Sequence, residues 1–142
     1  MIALDSNILA RFYVDDPSDP EATQQRPIAN AVISQNPSLF VPLTVLLELE
    51  WVLRAFYRFQ SEDVTKVIEH LLGLPNVNLE ESARIAAALD PYRRGLDFAD
   101  ALHLSASTHC EALYSFDDRK FARPAQRLGA MPEVVVPTGS AD

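Results

Sequence analysis

The 142-residue chain carries 20 acidic side chains against 12 Lys and Arg, a formal net charge of −8, which argues against a broad basic surface of the kind that grips duplex nucleic acid by counterion release. Although 48% of the residues are hydrophobic, no run approaches the length of a membrane span, and "MIALDSN" reaches an aspartate at position 5 instead of a basic and then apolar leader. A soluble cytoplasmic protein is expected, built as one domain over residues 1–137 with a loose C-terminal tail at 138–142.

In chain order, strand-length apolar runs alternate with helical patterns. "MIAL" reads as a short buried strand, "SNILARFYV" as a helix, "EATQQRPIANAVISQ" as a helix with a proline near its middle, and "SLFVP" as a second strand. "LTVLLELEWVLRAFYRF" reads as the longest helix. "SEDVTKVIEHLLGL" follows, with Ser61 and Glu62/Asp63 as its start and Gly73 as its stop. "NVNL" suits a minor edge strand, "EESARIAAALD" and "DFADALHLSASTH" helices, and "EALYSF" and "PEVVVP" the closing strands. The lone Cys110 cannot form an internal disulfide and is expected to be small core filler. The order is β-α repeated. It predicts an α/β three-layer domain with a central parallel sheet of four or five strands, "MIAL" near the centre, and helices on both faces.

Ligands of open parallel sheets bind beyond the carboxyl ends of the strands. Asp5 sits just after the first strand and Asp117 just after "ALYSF", so neighbouring strands would bring the two acids to one edge. Each has a plainer reading as a helix cap, Asp5 for "SNILARF" and Asp117 or Asp118 for "DRKFARP". Glu48 is harder to account for in a helix apolar almost all the way round. A buried carboxylate there is costly unless paired or bound to metal, and Thr44, Val45, Trp51 and Val52 at helical spacing offer no charge. Glu50 has Arg54 four residues on and reads as a solvated ion pair.

"RGLDFADALHLS" places Asp97 and Asp100 three residues apart on one side of a helix, with Asp97 suited to the N-cap. Two adjacent carboxylates repel unless something positive compensates them, and His103 lies one turn on. Hard oxygen donors without a Cys or His cluster suit Mg²⁺ or Mn²⁺ in preference to zinc.

These residues resemble the PIN domains, specifically the toxin nucleases called VapC. "ALDSNILARF" is similar to the family's opening strand, Asp, and Asn two residues on; "LLELEWVLR" to its Glu-Leu-x-Trp-x-Leu helix. "DFADALHLS" is similar to its third acidic motif and "LYSFDDRKF" to its fourth, where Thr or Ser precedes the acid by two. The departure is Asp118, which doubles the last acid. The resemblance implies that Asp5, Glu48, Asp100 and Asp117 form an acidic pocket holding Mg²⁺ or Mn²⁺, with Asn7, Asp97 and Ser115 supporting it. It further implies metal-dependent hydrolysis of RNA phosphodiesters and a small cognate antitoxin as partner. Ser6 and Ser115 have no evident histidine base in a triad-like arrangement and the single cysteine lies in an apolar segment, so a protein nucleophile is not expected. Arg11, Arg93, Arg94, Arg119 and Arg123, near the acidic edge, suit phosphate, while each singly reads as a surface charge. The apolar helices over 43–59 and 64–74 also predict a homodimer.

Rival readings lack their residues. A phosphorelay receiver domain needs adjacent acids after its first strand and a lysine after its last, and a phosphatase of the haloacid-dehalogenase kind needs Asp-x-Asp where this chain has Asp-Ser-Asn. A non-catalytic α/β interaction module, with all acids as caps and ion pairs, is separated from a nuclease by Mn²⁺ titration.

Overall fold

The computed structural model describes residues 1–139, which holds most of the chain and leaves the last three residues of the expected tail outside the described residues. It divides into two compact units, Met1–Ser82 and a second beginning at Ala83.

In the first unit, β1 (Ile2–Ala3), β2 (Leu39–Val41) and β3 (Val77–Leu79) form a parallel sheet in the order β1-β2-β3, with Ile2 opposite Leu39 and Leu39 opposite Val77. Four helices connect them: α1 (Ser6–Tyr13), α2 (Pro20–Gln35), α3 (Leu43–Trp51), which continues as a π-helical turn over Val52–Phe56, and α4 (Ser61–Gly73). Alternation within the central strand is plain, since Leu39 and Val41 are fully buried and Phe40 between them is partly exposed. Helix α4 buries Val64, Val67, Ile68 and Leu71, the i, i+3, i+4, i+7 stripe of an amphipathic helix.

In the second unit, α5 (which begins at Ser82 and runs to Arg93) and α6 (Phe98–Ala106) precede β4 (Ala112–Tyr114). A π-helical turn (Asp118–Ala122), α7 (Arg123–Arg127) and β5 (Glu133–Val135) follow. β4 and β5 pair in parallel, Leu113 opposite Val134. Phe98 is buried and meets Tyr92 edge-on at 5.0 Å, and Gln126 Nε2 donates to the Val134 carbonyl at 2.8 Å.

The α/β class and the five strand positions match the sequence reading. The sheet does not. Its three-stranded part is smaller than the four or five strands expected, and β1 lies at its edge instead of its centre. Strands of two or three residues support few ladder bonds, and β1 finds a partner only in β2 among the described residues. The longest helix is α2, at 16 residues with Pro27 inside it; the 43–59 pattern breaks into α3 and its wider π turn, in which Tyr57 N reaches back five residues to Val52 O. Helix α4 starts at Ser61 and ends at Gly73 as expected, with Gln60 as its cap, whose backbone N–H donates to the N3 carboxylate of Asp63 at 3.0 Å. Cys110 is exposed, because the helix ends at Ala106 and leaves it in a turn before β4.

Candidate active site

In the first unit, Asp5 leaves the carboxyl end of β1 and caps α1, its Oδ1 accepting from Ser6 N at 2.7 Å. Ser6, itself buried, donates its hydroxyl to Glu48 Oε1 on α3, a bond that ties the first acidic motif to the second across 42 positions of sequence. Asn7 is exposed and lines a cavity of about 240 Å³ with Ser6, Arg11, Asp19 and Tyr57. Arg11 is held in that wall by Gln25 Oε1 at 2.9 Å, the Tyr57 hydroxyl at 3.1 Å and Asp19 at 3.7 Å.

The two glutamates of α3 exchange the environments the sequence suggested. Glu50 is buried, at 5% exposure, and Arg54 Nε bonds it at 2.8 Å; Glu48 is exposed. The reason is helical phase. Leu46, Leu49, Glu50 and Leu53 fall at i, i+3, i+4 and i+7 and form the buried stripe, so position 50 points inward and position 48 outward. Nearly uniform hydrophobicity hid that phase, although the leucine spacing from Leu46 carried it.

In the second unit, Asp97 caps α6, accepting from Asp100 N at 3.2 Å. Asp100, half-buried in the first turn, has its carboxyl pushed above the ordinary aspartate value, first by burial and then by the charge of Asp97; His103 pulls it down and Asp117 pushes it further up. Asp117 Oδ1 accepts from Lys120 N at 3.0 Å and so caps the π turn, while its own N–H donates to Ser115 Oγ at 3.0 Å. Ser115 therefore sets the backbone of the last acid. Asp118 is engaged elsewhere, by Arg123 Nε at 3.0 Å.

Each half has the donor chemistry of a hard divalent cation: carboxylate and hydroxyl oxygens, with no thiolate. The raised Asp100 is the observation that fits best, since a carboxylate whose charge is disfavoured by burial and by two neighbouring acids is one that a cation would favour. Among the described residues, no three His, Cys, Asp or Glu side chains are grouped as a metal-binding set. Asp5 follows β1, which pairs with β2, and Asp117 follows β4, which pairs with β5. Of the arginines singled out, Arg93 and Arg94 both pair with Asp90, at 3.9 and 3.4 Å, and Arg11 and Arg123 are engaged as described.

No helix of the described residues is long and apolar enough to cross a membrane. The PIN domain family matches residues 2–126. A VapC ribonuclease from Aquifex aeolicus (strain VF5) is 32% identical over 104 residues, 72% of this chain and 75% of that protein. No solved structure matches the chain. With four acidic motifs in order along a parallel α/β scaffold and a family match over nearly its whole length, the chain belongs to the PIN domain family.

Proposed function

We propose that this chain is a metal-dependent endoribonuclease, the toxin of a toxin-antitoxin pair, acting on RNA phosphodiesters with Mg²⁺ or Mn²⁺. The family match together with the VapC ribonuclease relative carries this reading. Asp5, Glu48, Asp100 and Asp117 hold the cation. A bound divalent ion lowers the pKa of water and offsets charge developing on phosphoryl oxygens. Ser6 orients Glu48, the Asp97 cap fixes the first turn that carries Asp100, and Ser115 fixes the backbone at Asp117; Asn7 presents an exposed polar side chain two residues after Asp5. Residues 1–137 act as one PIN-like nuclease domain in the cytoplasm.

A small antitoxin restrains the enzyme, and the chain forms a homodimer. Support for an apolar interface comes from Trp51 and Phe56, 55% and 72% exposed at and beyond the end of α3. Helix α4 contributes less than its sequence suggested, because its apolar stripe is already buried. Incubation of the purified protein with total RNA and Mg²⁺ or Mn²⁺, with products mapped by sequencing, tests the reading. Defined cleavage that Asp100→Asn abolishes is expected; intact RNA under every divalent cation would overturn it.

A further inference from the structure

At the amino ends of its strands, the edge opposite the one where Asp5 leaves β1, the first unit has a cavity of about 520 Å³. Asn36 and Pro37 ahead of β2 and Asn76 ahead of β3 line it, so it lies where the connecting helices return to the sheet. Phe12 of α1, Ile33 of α2 and Leu74 just after α4 supply apolar walls. The Phe12 and His70 rings both line it and stand nearly parallel, at 25°, with centroids 6.4 Å apart.

The polar side chains at this cavity have spent donors and kept acceptors. Ser34 Oγ donates to the Asn30 carbonyl at 2.8 Å, Asn36 Nδ2 to the Val32 carbonyl at 2.7 Å, and Asn76 Nδ2 to the Ile33 and Asn36 carbonyls, both at 2.8 Å. One hydroxyl oxygen and two amide oxygens keep lone pairs for whatever enters. Helices α1, α2 and α4 all end here, and the carbonyl end of a helix carries partial negative charge that favours a cation. The last turn of α2 holds no basic residue to offset it, and that of α4 only His70. Among the described residues, none that lines the cavity is Lys, Arg, Asp or Glu.

We propose that this cavity binds a primary ammonium ion on an apolar stem, the stem against Phe12, Ile33 and Leu74 and the head among the acceptors of Ser34, Asn36 and Asn76. An ammonium group has three donors and no acceptor, which complements a rim whose donors are largely committed to backbone carbonyls. The aromatic wall adds attraction for a cation at its face. A carboxylate of the same shape would meet lone pairs and the negative ends of three helices, and would be repelled. A neutral alcohol could form hydrogen bonds but would gain nothing from the helix ends. The site does not depend on the ribonuclease reading, since Asp5 lies at the other edge of the sheet.

Phenethylammonium, phenethyl alcohol and hydrocinnamate share a ring on a short chain and differ in the head group. Each is titrated by calorimetry into the full-length protein at about 0.15 M salt, so that long-range attraction to an acidic protein is screened. Saturable binding of the ammonium is expected, about tenfold tighter than the alcohol, with no binding of the carboxylate. Gln35 lines the cavity and is exposed, so its charge can be changed without disturbing the core. Gln35→Lys should weaken the ammonium about tenfold and Gln35→Glu should tighten it. Gln24→Lys makes the same change at an exposed position of α2 that does not line the cavity, and should leave the affinity at the wild-type value. The proposal is overturned if the ammonium does not bind, or if all three ligands bind alike. It is equally overturned if Gln24→Lys weakens binding as much as Gln35→Lys, because the acidic surface as a whole would then be the attractor.

Discussion

Asp97 accepts a hydrogen bond from the backbone N–H of Asp100 at 3.2 Å, and the same carboxylate adds to burial in raising the pKa of the Asp100 side chain. One aspartate thus stabilises the helix start that presents the other and disfavours its charge. The two should respond oppositely to substitution.

Asp100→Asn should leave the metal-free fold as stable as wild type or more so at neutral pH, and abolish cleavage. The folded-state pKa is raised, so ionisation weakens the fold as pH rises through it, and the penalty is absent below the unfolded value of about 3.9. The melting-temperature difference between variant and wild type, measured in EDTA, should be near zero at low pH and grow toward neutrality. Its size is small, because solvent screens a half-exposed carboxylate. A sharp drop for Asp100→Asn at neutral pH would place Asp100 in a structural ion pair instead.

Asp97→Ala removes a helix cap and should lose about 1 kcal/mol, a fall in melting temperature of about 3–5 °C. Asp97→Ser keeps a capping oxygen and should recover most of it. Residual cleavage in both variants, measured beside Asp100→Asn, would fit an accessory role.

Ser6→Ala deletes the hydroxyl that ties α1 to Glu48 on α3. Because Glu48 is exposed and regains water, the expected loss is about 1 kcal/mol in denaturant unfolding, below the usual range for a bond to a charged group. Glu48 is then free to rotate, so Mn²⁺ affinity by titration calorimetry should fall while Ser6→Thr retains it. Equal affinity for all three proteins would remove Ser6 from any role in orienting the acid.

Tyr13 meets His70 Nδ1 at 2.6 Å, and burial pushes its phenol well above the ordinary tyrosine value. The sign is that of a raised pKa: the neutral phenol's contribution is complete below the unfolded value of about 10 and is lost as pH climbs toward the folded one. Stability should therefore fall above about pH 10, and Tyr13→Phe should flatten that limb while losing about 1 kcal/mol at neutral pH. Urea unfolding at pH 7 and pH 10.5 compares them.

What the sequence determined by itself was mostly local. The β-α order, all five strand positions, the Asp97 cap and the Gly73 stop depend on periodicity and on residues within a turn of each other, and these are readable without a partner. The pairing of Asp97 with Asp100 was equally legible, since three residues on a helix are neighbours by geometry alone. Tertiary structure decided the rest. Which of Glu48 and Glu50 faces inward depended on the face α3 buries, a choice that a nearly uniform apolar helix leaves open until it packs. The Ser6 hydroxyl on Glu48 spans 42 residues, and no local rule reaches so far. Strand positions likewise did not dictate strand order: β1 lies at an edge because hydrogen bonding between ladders is settled by chain packing, not by the composition of two or three apolar residues.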